Sequence, residues 1–407
     1  METYIFLTNQ YLPEPGATGL CIHKIASALA TEDNEVYTVC YKFDGTPEEA
    51  DNVSIIGVKT PTFLNESKKK TPISSLAKRV ASIQAKLAHI RSYPLRSVSL
   101  VNRYISEVDK IMAKRNSAKI IASYTPLEAV VAAAKLKRKY GQRIKAVYYS
   151  ADTLSNEQGK SGILTEEYRR KQGYKWETKL FSVCDRILIM DCHKGHYFSD
   201  EYREYKDKMS VVNFPLFCNL SRHETAKKED KTNRSISLVY TGTLYKELRN
   251  PRFLCDCLVK LSKIKNINVD FLGGGDCDSI IENAVKNSKG TIKYHGMQSH
   301  DIALQYIESA DVLLSIGNAE SPMAPSKIYE YMSTGKPIIH VFSWDGDTCI
   351  APLKDYGNAL LIQDKDINAI KKIRDFLEDI KIVSYKELEE KFKTSLPEYT
   401  VKILRQV

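Results

Sequence analysis

At 407 residues, 43% hydrophobic and 27% charged, the chain is too long for one ordinary core, and its make-up excludes both disordered and fibrous classes. No run approaches the ~20 apolar residues of a membrane-spanning helix, which excludes an integral helical membrane protein. The net charge of +10 points to anionic partners, either phosphate-rich ligands or a membrane surface, while no RNA-binding signature supports nucleic acid.

The first strand is expected over Ile5–Thr8. With no basic segment before it and no small-residue cleavage site after it, and with nine cysteines scattered through apolar segments, the expected compartment is the reducing cytoplasm. Pro13–Gly19 then forms a flexible turn in which Gly16 and Gly19 let the backbone bend, and a helix starts near Leu20. His23 on that helix reads as a half-buried structural histidine. Strands follow at Glu35–Cys40 and Val53–Val58.

From Lys68 to Arg115 basic residues interleave with Leu76, Val80, Ile83, Leu87 and Ile90 at helical spacing. This is a basic amphipathic segment, read as a helix packed on its own domain with a solvated face, or as a contact with an anionic membrane. Further strands are expected at Ile120–Ser123, Lys145–Ser150, Arg186–Met190 and Ser210–Val212. Asp152, just beyond the carboxyl end of Lys145–Ser150, is placed to bind or deprotonate a hydroxyl. Its ordinary alternative is capping or loop bonding. Glu177 takes no role from the sequence.

Ser221–Ser235 is polar and aperiodic, as a surface connection should be. A second series of strands is expected at Ile236–Tyr240, Asn268–Leu272, Thr291–Tyr294, Val312–Ile316, Pro337–Val341 and Ala359–Ile362. Each half thus reads as its own doubly wound α/β domain. The CxC pair Cys255 and Cys257 lies in an apolar helical stretch without a second metal-like pair, so no metal site is expected there. Tyr385–Val407 reads as two short helices split at Pro397.

Chemistry concentrates in the second half. Gly242-Thr243 ends one strand, and Arg249 beside a helix start can clamp a diphosphate bidentately, with Lys246 a weaker candidate. Gly273 and Gly275 end the next strand, and His295-Gly296-Met297 the one after. Asn318 follows the strand ending at Ile316. Ser326 reads as an N-cap, Lys327 as a cation for a phosphate at the helix end, and Glu330 as a carboxylate for two ribose hydroxyls. An i,i+3 Lys–Glu pair is the ordinary alternative.

Over Pro325–Pro337 the chain reads P-S-K-I-Y-E-Y-M-S-T-G-K-P, which resembles the nucleotide-sugar helix of retaining family-4 glycosyltransferases of the polysaccharide-making type. The resemblance implies a GT-B fold, two Rossmann-like domains with parallel sheets facing across a cleft. Residues 1–214 would form the acceptor domain and 215–383 the donor domain, with the helices of about 384–407 packing back on the first. It implies metal-independent, retaining transfer from a nucleotide diphosphate sugar, a UDP-sugar in the first instance, to a glycan or lipid-linked acceptor of the cell envelope at the inner membrane face. The nucleotide-sugar is a co-substrate, and no cofactor or metal is expected.

By the same resemblance Asp152, Arg249 and Lys327 are the catalytic residues. Gly16, Gly19, Gly242, Thr243, Gly273, Gly275, His295, Met297, Asn318, Ser326 and Glu330 would surround the donor. Two departures stand out: Thr243 replaces a basic residue, and Pro322 stands where the family has the first of two glutamates. The rivals are a nucleotide-sugar epimerase of the same fold and a non-catalytic nucleotide-sugar-binding subunit.

Overall fold

The computed structural model describes residues 1–31, 33–60, 93–156, 164–219, 234–319 and 325–407. These form two compact units, Met1–Pro215 with Pro397–Val407, and Leu216–Leu396.

The first unit is built on β1 (Glu2–Leu7), β2 (Asn34–Tyr41), β3 (Glu49–Ala50), β4 (Val53–Val58), β5 (Ala118–Ser123), β6 (Ile144–Ser150), β7 (Arg186–Met190) and β8 (Met209–Val212). They form one sheet in the order β3-β4-β2-β1-β5-β6-β7-β8, parallel except for the β3–β4 pair. Parallel strands are covered by helices on both faces and so need apolar side chains at successive positions. β6 meets this requirement, with every residue buried except the half-buried Lys145.

The helix Val98–Met112 places Leu100, Val101, Tyr104, Val108, Ile111 and Met112 on one buried face, and Ser97 caps it by accepting the Leu100 N–H. The part of the basic segment that is described therefore packs on its own unit. Lys68 to Arg91 lie outside the described residues.

The second unit has β9 (Ile236–Thr241), β10 (Ile267–Leu272), β11 (Ile292–Tyr294), β12 (Val312–Ile316), β13 (Ile338–Phe342) and β14 (Ala359–Gln363). Their order is β11-β10-β9-β12-β13-β14, with all pairings parallel. Numbered within the unit this is 3-2-1-4-5-6, the doubly wound order whose direction reverses between the first and fourth strands. In sheets of this order ligands bind at that switch point, outside the carboxyl ends of the strands, here β9 and β12. Leu238, Val269, Phe271, Val312, Leu314 and Ile339 fill the core beneath it.

Three expectations are corrected in detail. The first helix runs Ala17–Leu29, so it begins three residues before Leu20 and takes Gly19 into its first turn. The return of the C-terminus to the first unit starts at Pro397 rather than near 384. Tyr385 and Phe392 instead stack on Phe217 inside the second unit, at 5.8 and 5.4 Å between ring centres. Lastly, β3 was not expected, because two residues at a sheet edge leave no period to read.

Candidate functional site

The loops at the carboxyl ends of β9, β10, β11 and β12 are held together largely by backbone. Gly242 N–H donates to Leu272 O at 2.9 Å, Leu244 N–H to Gly274 O at 2.8 Å, and Gly273 N–H to Gly296 O at 2.8 Å. This packing excludes a side chain at Gly273, where a Cβ would fall 1.9 Å from Gly242 O. Gly275 combines a φ of +137° with a would-be Cβ 1.8 Å from Leu244 O, so only glycine fits. The glycines expected as ligand contacts are thus needed first for the approach of neighbouring loops.

Arg249 spans the switch point. Its Nε and Nη2 donate to Asn318 Oδ1 at 3.2 and 2.8 Å, and its Nη1 to Thr243 O at 3.1 Å. A guanidinium carries five N–H donors in one plane, so these bonds fix the fork's orientation and leave donor capacity for an anion. Asn318 is held from its other end by Trp344, whose Nε1–H donates to its carbonyl at 2.9 Å. Lys246 is exposed, and its backbone N–H donates to Asp276 at 2.7 Å.

The helix Lys327–Ser333 lies alongside, with all its residues from Ile328 to Ser333 buried. Tyr331 ties it to the end of β9, because its hydroxyl accepts the Thr241 N–H at 2.8 Å. Burial is the main reason that hydroxyl is held well above the usual tyrosine range. Glu330 is buried and pairs with Lys327 at 2.6 Å, and His300 Nε2 approaches its other oxygen at 3.5 Å. The i,i+3 ion pair is therefore present.

Ser326 is a correction. It has helical backbone angles and no side-chain cap bond, since Pro325 O already accepts the Ile328 N–H at 3.2 Å and starts the turn one residue early. Pro322 and Glu320 lie outside the described residues. His295 Nε2 bonds Asp270 at 2.7 Å, and Met297, 66% exposed, stands at the rim beside Gly274.

Gly16, Gly19 and Asp152 belong to the first unit. Gly16 precedes the helix Ala17–Leu29, and a Cβ on Gly19 would fall 1.9 Å from Gln10 O. His23 sits between Tyr11 and Asp51, at 2.9 and 3.1 Å, as a structural histidine would. Asp152 follows β6 in a turn secured by Glu177, which sequence reasoning left without a role. The Glu177 carboxylate is fully buried and accepts from Leu154 N–H at 2.8 Å, Tyr197 at 2.8 Å and Tyr202 at 2.5 Å. Ser150 and Ser155 join through those two hydroxyls at 3.1 and 2.6 Å. Nearby, burial depresses His193 to about 4, so its imidazole is neutral at pH 7.

Set against known proteins, residues 235–379 match the family model for Glycosyl transferases group 1. Solved structures share the fold over 98–100% of the chain's length. Sucrose-phosphate synthase from Thermosynechococcus elongatus is 14% identical with a TM-score of 0.58, over 99% of this chain and 95% of its own. HepE of Anabaena in complex with UDP-glucose is 13% identical with a TM-score of 0.58, over 100% and 98%. WaaG, a glycosyltransferase involved in lipopolysaccharide biosynthesis, is 14% identical with a TM-score of 0.55, over 98% and 99%. No curated protein matches the chain in sequence. The chain has the GT-B glycosyltransferase fold, with the family match confined to its second unit.

Proposed function

We propose that the protein is a glycosyltransferase that moves a sugar from a nucleoside diphosphate sugar, a UDP-sugar in the first instance, to a glycan or lipid-linked glycan with retention at the anomeric carbon. The observation that carries this reading is the Arg249–Asn318 clamp across the β9/β12 switch point, bordered by Lys327 and Glu330. A departing diphosphate needs preorganised positive charge. Arg249 and Lys327 supply it as side chains, which supports a reaction without a metal at the phosphates. Glu330 accepts ribose hydroxyls once the ligand redirects Lys327. Gly16, Gly19, Gly242, Thr243, Gly273, Gly275, His295, Met297 and Ser326 are the remaining donor-binding residues of this reading, and Asp152 is its residue for the acceptor hydroxyl.

Neighbours that bind UDP-glucose or serve lipopolysaccharide synthesis favour an envelope glycan as the product. The basic segment 68–115 supports peripheral contact with an anionic membrane on the cytoplasmic side. The test is turnover: nucleotide release from UDP-glucose, UDP-galactose and their N-acetyl forms, with and without extracted envelope lipids, and the anomer of any product read by NMR. Release with an α-linked product supports the reading. Interconversion of donor sugars without transfer supports an epimerase, and binding without either supports a non-catalytic subunit.

A further inference from the structure

Directly beneath the turn that carries Asn318, three side chains from β13 and the loop after it converge. His340, Asp347 and Cys349 are all buried, and their ligand atoms lie within 4.8 Å of one another. No other group of this kind occurs among the described residues. His340 Nε2 and Asp347 Oδ2 face each other at 3.4 Å, and neither has a hydrogen-bond partner. That separation is longer than the 2.7–3.2 Å of an ordinary N–H···O bond. It equals the edge of a zinc tetrahedron, because Zn–N and Zn–O bonds of about 2.0–2.2 Å at the tetrahedral angle set the two ligand atoms roughly 3.4 Å apart.

The surroundings suit a metal. His340 Nδ1 is engaged with Ser315 Oγ at 3.0 Å, the outer-sphere bond that fixes a ligating imidazole with its other nitrogen bare. The Cys349 N–H donates to Asp347 Oδ1 at 2.8 Å, which turns Oδ2 inward. Gly317 makes room, since a Cβ there would fall 1.6 Å from Asp347 Oδ2. Charge completes the argument. A carboxylate buried in a dry interior is costly, whereas a divalent ion with one carboxylate, one thiolate and a neutral imidazole is electrically balanced.

We propose that His340, Asp347 and Cys349 form a site for one zinc-class divalent ion, buried under the Gly317–Asn318 turn. The mixed N, O and S ligand set selects zinc over magnesium or calcium, and three protein ligands leave a fourth position for water or a neighbouring group. The ion's task is structural: it fastens the loop after β13 to β13 itself, where His340 is in turn bonded to Ser315 of β12. This site is independent of the reaction proposed above.

The test uses the full chain, stripped with chelator and titrated with Co²⁺, a spectroscopic stand-in for zinc. The expected result is saturation at one equivalent, with a thiolate-to-cobalt charge-transfer band and visible bands of a tetrahedral site, displaced by Zn²⁺. Cys349→Ser should abolish the band, and Cys255→Ser, at a buried cysteine outside the cluster, should keep it. Zinc should raise the Tm of the wild type and not of Asp347→Asn, which keeps the shape and removes the anion; this arm stands if Cys349→Ser does not fold. A wild-type chain that binds neither ion overturns the proposal. A cobalt band that survives Cys349→Ser overturns it too.

Discussion

Gly273→Ala puts a methyl 1.9 Å from Gly242 O, where real contacts stay beyond 3.0 Å. The obstacle is backbone on both sides, so no rotamer relieves it, and the β9 and β10 loops must part by more than 1 Å. Overpacking of this kind costs about 1–3 kcal/mol, and loss of the Leu244–Gly274 and Gly273–Gly296 bonds adds roughly 1 kcal/mol each, for a total of about 3–5 kcal/mol. For a unit of this size that is a Tm lower by roughly 8–15 °C. The neighbouring Gly274→Ala meets only the Met297 side chain, Cε at 3.4 Å and Cβ at an ordinary 3.8 Å, and should cost less than about 1 kcal/mol. Thermal unfolding of both variants, followed by calorimetry of nucleotide binding, makes the comparison. Gly274→Ala should bind near wild-type levels, and Gly273→Ala should bind at least tenfold more weakly. Equal stability and equal binding in the two variants would refute the claim that close loop packing shapes this site.

Glu177→Ala strips the acceptor from two tyrosine hydroxyls and the Leu154 N–H, and should cost about 3–5 kcal/mol in urea unfolding, with Glu177→Gln losing about half of that. A loss below about 1 kcal/mol for the alanine variant would contradict the buried network. His193 titrates near 4 when folded, against 6.5 when unfolded. The unfolded state therefore binds the proton first, and the stability contributed by the neutral imidazole is complete above pH 6.5 and drains as pH falls towards 4. The loss should reach about 2.5 kcal/mol at pH 4.5 and be absent from His193→Leu, as read by urea melts at pH 7 and pH 4.5.

The strands were legible because parallel strands buried on both faces leave unbroken β-branched runs, as in β6 and β12. The helix at Lys327 was legible from its motif and from the glycine that ends it. Ser326 misled because a serine before a helix has the same local pattern whether it caps or sits inside the first turn. The Arg249–Asn318 clamp joins residues 69 positions apart, and only the strand order brings them together. Glu177 looks like any helical glutamate until the tyrosines of a later segment close over it. His340, Asp347 and Cys349 follow no ligand spacing that a sequence would announce, since β13 and the loop beyond it turn them towards one another.

The most direct measurement is calorimetric titration of UDP, GDP and ADP into the wild type, Lys327→Ala and Glu330→Gln. The account predicts that one nucleotide binds the wild type, and that each substitution weakens it by about 10–100-fold, the worth of a charged hydrogen bond. Binding of no nucleotide, or binding unchanged in both variants, would contradict the assignment of this crevice as a nucleotide-sugar site.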